Sequence, residues 1–350
     1  MIKNCFLGAN TPEGFRSAYD TLERDPQIRR LLILKGGPGC GKSTLMKAVA
    51  QAAEGLGLGV RRIFCSSDPD SLDGIAVPEL GFAIADGTAP HVMEPALCGC
   101  GANYINLGRY VCEEKVAPLA AGIRAEKAAN RFCYGPAYAC LAGCAAAGEA
   151  MRAIAAEAVA DMTKEALRQL EREKLPKGGA KDASLRVFLT ALTPEGFRSF
   201  EPDCGNVWAI RDSHRLAAPL LRKLAEAYRR AGQQTVLVLD PLDPDELEGL
   251  VIPGLDTAYL RTDPLFDLGA WALRQLNFDA LAEAGIPAAH LARMAELGRL
   301  RRQLAEEAVD WLRQAKRHHD ALEALYRPAV DFDGVAEETA RIVDGLMTEA

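Results

Sequence analysis

Short apolar runs separated by amphipathic stretches occur along the chain in two similar series. In the first half the runs are NCFL at 4–7, LLIL at 31–34, VRRIF at 60–64 and GFAIA at 81–85. In the second they are RVFL at 186–189, NVWAI at 206–210 and TVLVL at 235–239. Such runs are too short for helices, and Gly, Pro or Asp residues lie at or near their ends, so they read as strands buried on both faces. Strands alternating with helical patterns predict a mainly parallel sheet covered by helices, an α/β domain, in each half. Each series then ends in a long helical stretch. Met151, Ile154, Ala158 and Met162 mark one, after breaks expected at Pro118 and Pro136. Leu297, Leu300, Leu304, Ala308, Trp311, Ala315, Leu322 and Leu325 mark the other, at three- and four-residue steps. They predict a helical hairpin on each sheet, over about residues 112–175 and 280–348.

The two series are copies of one another. TPEGFRS stands at 11–17 and again at 193–199, and DPDSLDGIAVPEL at 68–80 matches DPDELEGLVIPGL at 243–255. Two long agreements in the same order identify an internal duplication. In both copies Thr11 or Thr193 followed by Pro12 or Pro194 predicts a capped helix start. KLPKGGAKDAS at 174–184 reads as the linker, giving domains 1–178 and 179–350.

The first copy carries the candidate chemistry. Gly36-Gly37-Pro38-Gly39-Cys40-Gly41-Lys42-Ser43 fits GxxxxGK[ST] between an apolar strand and a helical run that opens at Thr44. Glycines let backbone N–H groups wrap phosphates, and the helix N-terminus adds its dipole. Lys42 would reach the outer phosphates and Ser43 would hold Mg2+. The matching segment of the second copy, Arg211 to Ala218, has none of these groups; the alignment sets Lys42 against Ala217 and Ser43 against Ala218. A degenerate second loop supplies an internal control, because residues kept only for phosphate chemistry are free to change there. Asp86, at the end of GFAIA, faces Arg261 in the alignment, and His91 faces Phe266. Asp86 is therefore expected to hold Mg2+ with Ser43, and His91 to position water or an acceptor beside the terminal phosphate. Asp68-Pro69-Asp70 survives as Asp243-Pro244-Asp245, which favours a structural role, Asp as cap and Pro opening a short helix. Ser66 and Ser67 read as a turn. Cys40 sits at a helix N-terminus, where a thiol pKa can fall. Arg211 and Arg215 raise the idea that the second half lends an arginine to the first site, if the halves pack as a pseudo-dimer.

Composition narrows the classes. The chain has 350 residues, 49% hydrophobic and 25% charged, with a formal net charge of −7. That balance fits two globular domains and disfavours nucleic acid as a partner. No apolar run is long enough to span a membrane and no secretory leader is evident, so a cytoplasmic location is expected. The ten cysteines show no CxxC or zinc-like grouping; Cys98 and Cys100 form a CxC, and Cys140 and Cys144 lie one helical turn apart. They read as reduced, small apolar residues.

With its loop, DPDSLDG at 68–74, DGTAPHV at 86–92 and its duplication, the chain resembles a bacterial family of tandem P-loop ATPases of unassigned cellular role. The resemblance spans nearly all of the sequence. It implies two P-loop NTPase-like domains and ATP as ligand. Members of that family usually carry a phosphate loop in each half, and this sequence departs from the pattern in the second. A weaker likeness, to duplicated RecA-like ATPases, rests on the Thr-x-x-Gly-Phe segment at Thr11 to Phe15 ahead of the loop. The expectation is a Mg2+-dependent ATPase with a structural or regulatory second half. The alternatives are a kinase acting on a small-molecule acceptor, with Asp68 or Asp70 near it, and a nucleotide-dependent scaffold for a protein partner.

Overall fold

The computed structural model describes residues 2–95, 99–156, 184–266, 268, 269, 272 and 274–349. The linker at 174–184, apart from Ser184, lies outside the described residues, as do Ala158, Met162 and Cys98. Strands are β1 (Asn4–Cys5), β2 (Gly8–Thr11), β3 (Gly14–Ser17), β4 (Arg30–Lys35), β5 (Arg61–Phe64), β6 (Leu72–Val77), β7 (Phe82–Asp86) and β8 (Ala102–Asn106). Their counterparts are β9 (Leu185–Val187), β10 (Thr190–Thr193), β11 (Gly196–Ser199), β12 (Asn206–Arg211), β13 (Val236–Asp240), β14 (Asp243–Ile252), β15 (Thr257–Thr262) and β16 (Arg274–Asn277). Helices are α1 (Asp20–Arg24), α2 (Lys42–Gly55), α3 (Glu113–Val116), α4 (Ala120–Ala155), α5 (Ala218–Arg230), α6 (Phe278–Glu283), α7 (Ala288–Tyr326) and α8 (Phe332–Glu349).

The architecture is α/β, with two six-stranded sheets ordered β1-β5-β6-β7-β4-β8 and β16-β12-β15-β14-β13-β9. Read from the other edge, the second order matches the first strand for strand. Each sheet is mixed, because β6 runs antiparallel to β5 and β7, and β14 antiparallel to β13 and β15; the remaining pairs are parallel. The central strands carry their apolar runs buried on both faces: Leu31 to Leu34 in β4, and Phe82 to Ala85 in β7.

Contacts gather the chain into two compact units. One takes Lys3–Gly8, Ser17–Pro136 and Asp310–Ala350, and contains Gly36 to Thr44; we call it the loop unit. The other, the sister unit, takes Met1–Ile2, Ala9–Arg16 and Ala137–Val309. The helices do not stay with the copy that encodes them. In the loop unit, Ile342 and Leu346 of α8 join Leu45, Met46, Val49, Ala50 and Ala53 of α2 in the core. In the sister unit, Met151 and Ala155 of α4 pack with Leu220, Leu221 and Leu224 of α5. Helix α4 continues through Pro136, against the expected break, and Ala137, Leu141, Cys144 and Ala147 form its buried stripe.

TPEGFRS does not start a helix in either copy. It forms the turn of a two-stranded hairpin, β2–β3 or β10–β11. Thr11 Oγ1 donates to the Gly14 carbonyl at 2.7 Å and accepts from Glu13 N at 3.3 Å; Thr193 repeats both bonds with Gly196 and Glu195. Gly14 and Gly196 sit at φ 111° and 115°, which only glycine takes without strain. The Thr hydroxyl thus closes a turn instead of capping a helix. DPD forms no helix either. In the first copy Ser71 N and Oγ bond Asp68 in a turn, and in the second Asp243 opens β14.

Leu346 is 2% exposed, at the contact between the C-terminal helix and α2. Leu346→Ala should lower the unfolding free energy by about 2–5 kcal/mol, read as a reduced denaturant midpoint at unchanged slope.

Candidate functional site

Strand β4 ends at Lys35, and the loop Gly36–Gly41 carries the chain to α2, which opens at Lys42. Gly39 and Gly41 lie at φ 68° and 88°, so the backbone turns back on itself twice and brings successive amides round before the helix. One of those amides finds a carboxylate: Gly39 N donates to Glu323 Oε1 at 3.2 Å. Glu323, from α7, also takes a contact from His319 Nε2 at 3.4 Å. The His319 hydrogen bond, with the Gly39 amide adding to it, holds the Glu323 carboxyl below its ordinary range, so it is ionised. The same C-terminal stretch brings Tyr326 against Gly37, Arg327 against Gly39 and Val335 against Gly41. Lys42 folds back over the loop, donating to the Gly36 and Gly37 carbonyls at 2.9 and 3.1 Å, with Asp86 Oδ2 at 3.6 Å. Ser43 Oγ accepts from Leu72 N at 2.9 Å.

Asp86, last in β7, is buried, and its Oδ1 accepts from Thr88 N at 2.8 Å and Thr88 Oγ1 at 2.6 Å. Lys35 Nζ donates to the Gly87 and Met93 carbonyls at 2.8 and 3.0 Å, pinning the segment that carries His91. His91 is buried and stacks on Tyr19 with ring centroids 4.9 Å apart. Its Nε2 lies 4.0 Å from Asp73 Oδ1. The ligand atoms of Asp73, Asp86 and His91 all fall within 4.8 Å of one another. Asp73 was missed by sequence reasoning, because its aligned partner is Glu248, also an acid. Its position comes from a bulge: Ile63 pairs with Gly74 and Phe64 with Leu72, leaving Asp73 as the extra residue. A Cβ at Gly74 would meet Ile63 Cδ1 at 2.9 Å and the Ile84 carbonyl at 3.0 Å, which is why glycine follows the bulge. Burial, reinforced by the Asp86 charge, lifts the Asp73 carboxyl above its ordinary range, although His91 pulls it down.

Other sequence expectations change. The Cys40 thiol is buried and its pKa is raised by that burial, which outweighs the Lys42 charge, so it is not an activated thiolate. Asp68 pairs with Lys316 Nζ at 3.3 Å, and Ser67 Oγ accepts from the Tyr134 hydroxyl at 3.2 Å. The described cysteines are free thiols. No helix among the described residues is long and apolar enough to cross a membrane.

The sister unit shows what replaced the loop. Strand register and backbone shape shift the alignment by one residue from the sequence-based one. Leu34 pairs with Asp86 and Ile210 with Arg261; Gly39 at φ 68° corresponds to Arg215 at φ 58°; α5 opens at Ala218 as α2 opens at Lys42. Lys42 therefore corresponds to Ala218 and Ser43 to Pro219. The missing residue falls within α5, one residue shorter than α2 at 13 against 14. Asp212 now stands where Gly36 does. Its two carboxylate oxygens accept from Leu216 N at 2.8 Å and Ala217 N at 2.7 Å, the counterparts of the Cys40 and Gly41 amides. Arg261, at the position of Asp86, is 1% exposed and bonds Asp240 Oδ2 at 2.5 Å and Asp263 Oδ2 at 3.2 Å. Burial would lift Asp263, but Arg301 at 2.8 Å and Arg261 outweigh it and hold that carboxyl below its ordinary range. Arg215 is spent inside this unit on Asp240 and Asp243, at 3.4 and 3.1 Å.

No known protein family, curated protein or solved structure matches the chain.

Glu248 occupies the same bulge as Asp73, between the Val238–Gly249 and Leu239–Leu247 pairs. Complete burial and the neighbouring Asp240 charge lift its pKa well above the ordinary range, with Arg261 offsetting part. A raised carboxyl favours the fold while protonated and loses that contribution as pH rises through its folded pKa. Glu248→Gln keeps the shape and does not ionise. Between about pH 5 and about pH 8 its melting temperature should fall less than that of the wild type. Parallel melting curves in scanning calorimetry would contradict this.

Proposed function

We propose that the loop unit is a P-loop NTPase-like domain that binds the phosphates of ATP on Gly36–Thr44 and hydrolyses it, with the sister unit as a structural or regulatory partner. The observation that carries this reading is the anion already seated on the loop. An ionised carboxylate, Glu323, accepts the Gly39 amide, and in the sister unit Asp212 accepts the two amides that correspond to Cys40 and Gly41. Both loops present amides to negative charge. Only the first retains a lysine, a hydroxyl and a strand-end acid around them.

Each residue has a task on this reading. The amides of Gly37, Gly39, Cys40, Gly41, Lys42, Ser43 and Thr44 cradle phosphate oxygens, with Pro38 shaping the loop. Lys42 leaves the Gly36 and Gly37 carbonyls and Asp86 to neutralise charge that develops on the transferred phosphoryl. The donor chemistry at Ser43 and Asp86, a hydroxyl and a carboxylate oxygen, fits Mg2+, which when bound would draw charge from the phosphate oxygens. His91 is placed beside Asp86 to orient water. Glu323 must leave for phosphate to enter, so the end of α7 competes with nucleotide for the loop. A kinase reading has weaker support, since Asp68 is ion-paired with Lys316.

Lys42→Ala should abolish ADP formation from ATP and weaken ATP binding; unchanged turnover would sink the assignment. Glu323→Gln removes the competing charge and should tighten ATP binding by about 2- to 10-fold, the effect of a charge-assisted hydrogen bond that is half exposed. Calorimetric titration of both variants reads the two effects, and a product analysis with and without a metabolite extract separates hydrolysis from transfer to an acceptor.

A further inference from the structure

We propose that Asp73, Asp86 and His91 form a site for a divalent transition cation of the Mn2+ or Zn2+ class, bound in the free protein before any nucleotide arrives. The site shares Asp86 with the proposed phosphate site, but it does not depend on phosphate.

Three donors converge from separate pieces of chain: a bulge residue in β6, the last residue of β7, and the loop held by Lys35. All three are buried, at 7, 8 and 6% exposure, and their ligand atoms lie within 4.8 Å of one another. Two carboxylates that close, out of water, repel each other unless a proton or a cation lies between them. The imidazole selects the cation. Carboxylates alone suit Mg2+ or Ca2+, whereas a nitrogen donor shifts the preference to first-row transition ions.

A second observation points to a ligand. The Tyr19 hydroxyl is buried and aimed at this cluster: its ring stacks on His91, and its oxygen is placed to feel both Asp73 and Asp86. It makes no hydrogen bond of regular geometry, only a looser contact with the Asp73 carboxylate. A hydroxyl buried in this way is suited to a water or anion bound on a cation. The sister unit supplies a third. There the position of Asp86 is taken by Arg261, a fixed positive charge packed between Asp240 and Asp263 with Glu248 beside it, and the position of His91 is Phe266. Where the chain provides its own cation, the imidazole donor is gone. Where the donors remain, the nearby protein cation is Lys42, which approaches only Asp86, at 3.6 Å, and is shared with the Gly36 and Gly37 carbonyls.

The test is a Mn2+ titration of nucleotide-free protein, reading the loss of the free-ion signal by electron paramagnetic resonance. The wild type should bind one Mn2+ per chain, displaced by Zn2+ and not by equal Mg2+. Asp73→Asn and His91→Phe should each weaken it by at least about tenfold, the low end of what even an outer-shell partner contributes. His91→Phe installs the residue that the sister unit carries at the corresponding place, so it decides the matter if Asp73→Asn fails to fold, as checked by circular dichroism. Lys42→Ala should keep Mn2+ binding, which separates this site from the phosphate loop. Absence of binding in the wild type, equal binding by His91→Phe, or equal displacement by Mg2+ would each overturn the proposal.

Discussion

The constraint on which the site depends is that amides at the start of a helix, turned inward by a glycine-rich loop, must face negative charge. Unpaired amide donors out of water are costly, and the helix dipole adds to their demand for an anion. The protein answers this demand differently in its two units. In the sister unit the anion is built into the loop, since Asp212 is fully buried and takes two amides with its own carboxylate. In the loop unit the position of Asp212 is Gly36, and the carboxylate is Glu323, a partly exposed side chain on a helix encoded nearly three hundred residues later. A carboxylate on the loop itself cannot be exchanged. One on a neighbouring helix can be displaced.

Positive charge follows the same division. Arg261 is fixed among the acids of the sister unit, and Arg301 and Arg215 complete a closed ionic cluster there. Each of these arginines has an acid partner within the unit, which offsets the cost of burying its charge. In the loop unit the corresponding place holds Asp86, accompanied by Asp73 and His91, with Lys42 at 3.6 Å as the near cation. That lysine is also bonded to the loop carbonyls, so it is shared between Asp86 and the glycine-rich loop. In the loop unit the loop amide and the acid pair are met by a partly exposed and a shared side chain, whereas in the sister unit both partners are buried.

Much of this was legible in the sequence because local rules fix it. The apolar runs became the expected strands, since a run buried on both faces has few alternatives. The duplication gave the same strand order twice, and Lys42, Ser43, Asp86 and His91 fall in one unit. Local rules also misled. Thr-Pro reads as a helix start, yet Gly14 three residues after Thr11 prefers the left-handed region, and the Thr hydroxyl closes a hairpin. Pro136 predicts a break, but helix α4 continues through it. Asp73 was hidden because a bulge, a property of two paired strands, decides where its side chain points.

The sequence by itself determined the strands, the duplication and the glycine-rich loop with its lysine and serine, because each rests on residues close together in the chain. Only the tertiary structure decided which groups meet that chemistry. Glu323 reaches Gly39, Ile342 and Leu346 cover α2, and Asp73 joins Asp86 and His91 through contacts between segments far apart in sequence. Such contacts are fixed by packing and by the pairing of buried charge, and neither leaves a periodic or local trace in the order of residues.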